Sequence, residues 1–289
     1  MDTEFSVSFG LNEDAALCGA AAAACFARID ALERLLTRFD DTSDVAVIRG
    51  LSDGGVATVA RETMDVLVAS ARVCAATGGA FDPTVERRNF AELTLDVAHV
   101  RVGVRKGPVA LDFGGIGKGY ALDACAEILR SGQFGLHDWL LDAGSSTQVV
   151  SGGPWALGVG GRWKGRTRQE TVLRLSDGAL SGSGFELRGE HILDVRRGGP
   201  AARWAQSWSR ARTGAAADAL STAALALDAR ELAAACRELE AGVLVARAQP
   251  PWLDRLRDPL AAFGRAFSAR FGGGKLFEKG AYDDHSLMS

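Results

Sequence analysis

The stretch LDFGGIGKGYALD, Leu111–Asp123, governs the reading of this 289-residue chain. It reads as a strand over Val109–Asp112, a glycine turn, and a helix from about Lys118 to the Ser131-Gly132 stop. Glycines allow a ligand close to the backbone, and a helix N-terminus with Lys118 beside it favours phosphate. Two familiar phosphate loops fail on spacing. A Walker A loop would need Gly at Asp112 and Ser or Thr at Gly119, and a dinucleotide GxGxxG starting at Gly115 would need Gly at Tyr120. From the residues alone, a ligand-binding turn and a merely tight strand-to-helix turn both stay open.

Upstream, Phe5, Val7 and Phe9 alternate as a strand, and Asn12 followed by Glu13 and Asp14 marks a helix start. That helix is expected to run to about Arg38, with Ile29, Leu32, Leu35, Leu36 and Phe39 on its core face. A second helix is expected over Val59–Ala76, stopped by Gly78-Gly79, and a strand over Val100–Val104. Downstream, strands are expected at Leu140-Leu141, Thr147–Val150, Trp155–Val159 and Val243–Ala246, with helices over Ala215–Leu227 and Glu231–Leu239. The class is mixed α+β. Past Pro250-Pro251, the stripe Trp252, Leu256, Leu260, Phe263 and Phe267 predicts an amphipathic helix and then a loose tail, so residues 1–249 form the main domain and 250–289 an appendage.

Three further runs carry polar groups suited to chemistry. In TGGAFDPTV, Thr77–Val85, an aromatic and a carboxylate follow a helix stop; Phe81 and Asp82 could hold a ring, or could be a core residue and a turn residue. In ADALSTAALALD, Ala217–Asp228, Asp218, Ser221 and Thr222 share one helix face, which suits a hard cation such as Mg²⁺ as well as a helix cap. In HILDVRRG, His191–Gly198, a His three residues before an Asp could act as general base or stand as an ordinary surface histidine. His99, His137 and His285 keep no such company.

Composition narrows the function classes. Hydrophobic residues are 47% of the chain, enough for a large core, and 33 Lys+Arg against 36 Asp+Glu leave a net charge of -3, so no nucleic-acid partner is expected. Five cysteines in no CxxC pair imply neither a disulfide framework nor a zinc site. The Ala-rich stretch after Asp2, Glu4, Glu13 and Asp14 lacks the basic start of a signal peptide, and no uncharged run reaches bilayer length, so a cytoplasmic protein without a transmembrane segment is expected. Oligomeric state is not legible.

Taken in order, GAFDPTV, LDFGGIGKGYALD, the Ser-Gly pairs before HILDVRRG, and DALSTAAL resemble the patterns of the ApbE family of FAD:protein FMN transferases. The resemblance extends from MDTEFSV through LLTRFDDTSDVAVI to about Ala246. It implies a two-lobed α+β fold with an elongated FAD cleft, and Mg²⁺-dependent transfer of FMN from FAD to a Thr or Ser of an acceptor flavoprotein, releasing AMP. On this sequence it implies metal ligation by Gly115, Asp218 and Thr222 with Ser221 alongside. Ala80, Phe81, Asp82, Asp112, Lys118 and Ile192 would line the FAD site, with Phe39 and Met1 beside them, and His191 would handle the acceptor's proton. The same pocket would serve an FAD diphosphatase or a non-catalytic FAD-binding paralogue. Three features depart from the pattern: the short link from Val85 to Leu111, DVRRG in place of DPxTG, and Ala143-Gly144-Ser145 in place of the family's paired-glycine turn.

Overall fold

The computed structural model describes residues 3–84, 89–144, 146–163, 166–184, 193–194, 196, 199–200, 203–246 and 277–278. The amino-terminal half contains β1 (Phe5–Phe9), α1 (Ala15–Leu36), α2 (Asp44–Arg49), β2 (Val56–Thr58), α3 (Arg61–Ala76), β3 (Leu93–Asp96), β4 (Arg101–Val104) and α4 (Gly117–Arg130). There follow β5 (Trp139–Ala143), β6 (Thr147–Ser151), β7 (Trp155–Trp163), β8 (Arg166–Leu175), β9 (Gly178–Gly184), β10 (Leu193–Asp194), β11 (Gly199–Pro200) and β12 (Gln206–Ala211). Last come α5 (Gly214–Ala224), α6 (Ala229–Glu238), β13 (Gly242–Ala246) and β14 (Phe277–Glu278). The mixed α+β expectation holds.

A six-stranded antiparallel sheet in the order β1-β5-β6-β9-β12-β13 forms the centre. Both faces of its middle strands are buried, and the two-residue period of a strand sorts side chains between two cores. Val149 and Ala179 join the large cluster under the helices, whereas their neighbours Val150 and Leu180 join Leu157, Leu173, Leu175 and Trp208 under the β7-β8 hairpin. On the helical face α4 and α5 pack on the sheet and on each other, and α1 packs outside α4. A small β2-β4-β3 sheet lies beside this core.

α1 buries Cys18, Ala21, Cys25, Ile29, Leu32 and Leu36 at three- and four-residue steps. By length and composition it is the one described helix apolar enough to cross a bilayer; 28% of its apolar window is buried, by the stripe that packs against the rest of the fold. Its start is corrected from Asn12 to Asp14, whose carboxylate accepts from Leu17 N at 2.8 Å, while Glu13 turns to the backbone N–H groups of His137 and Asp138. Its end is corrected too: Phe39 lies beyond the helix and is 84% exposed, so it is no core residue. α3 stops where Gly78 and Gly79 both take positive φ, +56° and +76°, a pair of conformations that side-chain-bearing residues resist. All five cysteines are free thiols.

The strand expected over Val109–Asp112 is not one. Pro108 lacks a ladder donor, Val109 and Leu111 drop into the core as extended chain, and Asp112 N donates to Pro83 O at 2.7 Å. That bond ties the GAFDPT loop to the glycine turn. The sequence also missed α2, β2, β3, β8, β9 and β12. The helix expected after Pro251 lies outside the described residues, and within the expected tail Phe277–Glu278 pairs with Leu173 and Val172 of β8.

Candidate functional site

α4 and α5 approach so closely that side chains are excluded at the crossing. A Cβ on Gly119 would lie 2.1 Å from Gly214 O, and one on Gly214 would lie 2.5 Å from Gly119 O. Each helix then serves the other's N-terminus. Asp123 of α4 accepts from Gly214 N and Ala215 N at 2.6 and 2.8 Å, and Asp218 of α5 accepts from Gly119 N at 3.1 Å. The first turn of α4 has no side-chain cap of its own, so Asp218 supplies an acceptor for one of its orphan N–H donors from across the crossing. Burial pushes the Asp123 carboxyl up to about 6, outweighing its two backbone donors.

This changes the meaning of Asp218. It does not cap its own helix: that role belongs to Thr213, whose hydroxyl accepts from Ala216 N at 3.2 Å. Asp218 is instead a buried carboxylate, 3% exposed, at the end of a deep polar seam. Its Oδ1 receives the hydroxyls of Thr147 at 3.2 Å and Ser181 at 3.4 Å, and the Lys118 ammonium stands 3.6 Å away. A buried carboxylate requires such a set of donors, because an unpaired one would cost several kcal/mol. Lys118 Nζ also donates to Gly114 O at 3.2 Å, which pins the ammonium between the glycine turn and α5.

Beneath Asp218 lies a layer of hydroxyls. Ser221 Oγ is 2.8 Å from Ser183 Oγ and 3.3 Å from Ser181 Oγ, and Thr222 Oγ1 is 3.4 Å from Ser183 Oγ. Ser221 and Thr222 both donate to Asp218 O, at 2.9 and 3.3 Å. Ser207 Oγ donates to Ser221 O. Thr147, Ser181 and Ser183, with Ser207 opposite Ser183, occupy in-register positions on adjacent strands, so the period of two aims them at one helix face. Thr147, Ser181, Ser183 and Ser207 were missed from sequence, although the alternation in SGSG and QSWS is a readable signal.

The glycine turn closes the site. A Cβ on Gly115 would meet Thr222 Oγ1 and Phe81 Cε2, each at 3.4 Å, so the turn backbone lies against α5 and the edge of the Phe81 ring. Ala80 and Phe81 are themselves buried, at 5% exposure each, and Phe81 N donates to Thr77 Oγ1. Asp82 accepts from the N–H and the hydroxyl of Thr84. Asp112 accepts from Gly114 N at 2.8 Å and meets Arg38 at 3.3 Å. Beside the turn opens a cavity of about 380 Å³, lined by Leu36, Arg38, Phe39, Asp112, Phe113, Gly114 and Lys118 among others. The structure thus brings Gly115, Lys118, Asp218, Ser221, Thr222 and Phe81 together and sets Asp112 and Phe39 on the adjoining cavity wall. Met1, His191 and Ile192 lie outside the described residues.

Among the described residues no cluster of three His, Cys, Asp or Glu side chains forms, which sets aside a carboxylate-rich or imidazole metal site there. Apart from the Lys118 ammonium and the Gly119 N–H, the groups around Asp218 are hydroxyl and carbonyl oxygens, the ligand type a hard divalent cation takes when phosphates and water complete its shell. The residues present fit Mg²⁺ in that limited sense.

An α+β protein with a hydroxyl-lined carboxylate under a glycine turn is defined by this geometry. The chain belongs to the ApbE family, whose model matches residues 1–91 and 86–245, two segments that overlap over residues 86–91. Its fold is similar to that of the flavin transferase ApbE from Vibrio cholerae, with 17% identity, a TM-score of 0.72, and coverage of 85% of this chain and 90% of that one. It is likewise similar to the Pseudomonas stutzeri flavinyl transferase ApbE in its apo form, at 21% identity and TM-score 0.71 over 86% and 92% of the two chains. The ApbE protein of Thermotoga maritima gives 23% identity and TM-score 0.68 over 84% and 94%. A search of curated proteins by sequence gives no match.

Proposed function

We propose that this protein is a flavin transferase that moves FMN from FAD to a Thr or Ser hydroxyl of an acceptor flavoprotein and releases AMP. Family membership supports the reaction class, and one observation carries the site: the buried Asp218 carboxylate held by Lys118, Thr147 and Ser181 directly under the Gly114-Gly115 turn. Such a reaction asks mostly for positioning and charge neutralisation, since the pyrophosphate P–O bond breaks as the acceptor oxygen bonds to phosphorus.

Lys118, on the first turn of α4, supplies positive charge where the pyrophosphate would lie. Asp218, Thr222 and the Gly115 carbonyl, with Ser221 alongside, would hold Mg²⁺; when bound, the ion neutralises phosphate charge. Ala80, Phe81, Asp82, Asp112, Ile192 and Phe39 are the proposed contacts for FAD. His191 is proposed to take the acceptor hydroxyl's proton, because such a hydroxyl is a poor nucleophile without a base. A cytoplasmic or cytoplasm-facing acceptor is the proposed partner.

The test is incubation with FAD, Mg²⁺ and a flavoprotein acceptor domain, following AMP release together with flavin fluorescence on a denaturing gel. AMP in step with gel-bound flavin supports transfer. AMP with free FMN makes the protein a diphosphatase, and retained FAD without AMP makes it a binding paralogue.

A further inference from the structure

We infer that Arg38 is the positioning residue of the cavity wall, a guanidinium that fixes Asp112 with its edge and the exposed Phe39 ring with its face, so that both meet the planar ring system of a flavin dinucleotide. This rests on the flavin reading above and adds to it a residue of the LLTRFDD run to which that reading gives no role. Its Nη1 lies 3.3 Å from Asp112 Oδ2, and its guanidinium carbon sits 4.9 Å from the centre of the Phe39 ring. The same three side chains line the cavity beside Lys118.

The backbone that presents Arg38 is itself held. α1 ends at Thr37, whose hydroxyl accepts from Phe39 N at 3.3 Å, and Arg49 Nη1 donates to Arg38 O at 3.3 Å. Placement just past a helix C-terminus also favours a cation. At 84% exposure the Phe39 ring has little protein packed around it, so the Arg38 guanidinium is the group that steadies it. A planar guanidinium can pair edge-on and stack face-on at once, which an ammonium cannot, so lysine is no substitute here.

The experiment measures FAD and FMN binding by flavin fluorescence titration for the parent, Arg38→Ala, Arg38→Lys, Asp112→Asn and the Arg38→Ala/Asp112→Asn double variant, with melting temperature recorded for each. Loss of an exposed stacked and paired guanidinium is expected to raise the Kd for FAD by about 5–30-fold. Melting should stay within a few degrees of the parent, Arg38→Lys should not restore binding, and the double variant should bind no worse than the weaker single. Parent-like FAD binding by Arg38→Ala overturns the inference. So does full rescue by lysine, which would reduce Arg38 to a point charge, or additive losses in the double variant. Absence of FAD binding in the parent would instead overturn the flavin reading, and this inference with it; that failure shows before any variant is made.

Discussion

Asp218→Asn separates the structural work of Asp218 from its charge. Asparagine keeps the shape, its oxygen can still accept from Gly119 N, and its amide can donate to the Thr147 and Ser181 hydroxyls, which rotate to accept. What is lost is the negative charge 3.6 Å from Lys118. At an effective dielectric near 20 the gross attraction over that distance is about 4–5 kcal/mol. Desolvation of the buried pair offsets most of it, and Lys118, 22% exposed, can still reach Gly114 O and solvent. The net cost should be about 1–3 kcal/mol, a fall in melting temperature of roughly 2–10 °C for a domain of this size. Activity should fall further than stability. Removing the site's one buried carboxylate should exceed the roughly 10–100-fold loss typical of an outer metal partner. The assay is AMP release from FAD with an acceptor present, at low and high Mg²⁺, alongside circular dichroism. The expected result is an intact fold, AMP release reduced at least about 100-fold, and partial recovery with excess metal. A variant that turns over FAD like the parent, with chelator affecting neither protein, would refute the reasoning.

Gly119→Ala should separate α4 from α5, because its Cβ would sit 2.1 Å from a backbone oxygen that cannot swing aside; a loss of about 3 kcal/mol is expected in denaturant unfolding, and an unchanged midpoint would rule out the close crossing. Asp123, raised to about 6 by burial, holds its proton longer folded than unfolded, so its contribution falls as pH rises between about 4 and 6 and is level above that window. The parent's unfolding free energy measured against Asp123→Asn should therefore drop by up to about 3 kcal/mol across the window, and a pH-independent difference would remove burial as the dominant influence. His191→Ala should slow transfer by roughly 10²–10⁴-fold with FAD affinity retained in fluorescence titration; weakened binding would reassign His191 to substrate contact.

How much of this was legible follows the length scale of each interaction. The longer helices were readable because their signals are local, whereas the six-residue α2 is too short to show a period: the Ile29, Leu32, Leu36 stripe marks α1, and paired glycines with positive φ end α3. The strand placed over Val109–Asp112 failed because an apolar run says nothing about hydrogen-bond partners; here the partner is Pro83 O, from a different loop. Phe39 was read twice, as core and as a candidate contact, and only the turn at Thr37 shows it outside the helix and exposed.

Asp218 shows the deeper reason. Local reasoning offers two roles for an Asp near a helix start, cap or ligand, because it knows one helix. The crossing of Gly119 over Gly214 supplies another: α4 begins without a cap side chain, and the carboxylate that completes it comes from α5, 99 residues later in the chain. Asp123 returns the favour at Gly214 and Ala215. The glycine turn is thus tied to α5 by the fold itself, since the glycines that admit the close crossing also deliver a buried negative charge and Lys118 to its base. The small residues of α5 and the hydroxyls of β6, β9 and β12 then have a common cause: larger side chains would push α5 off the sheet and carry Asp218 away from the turn.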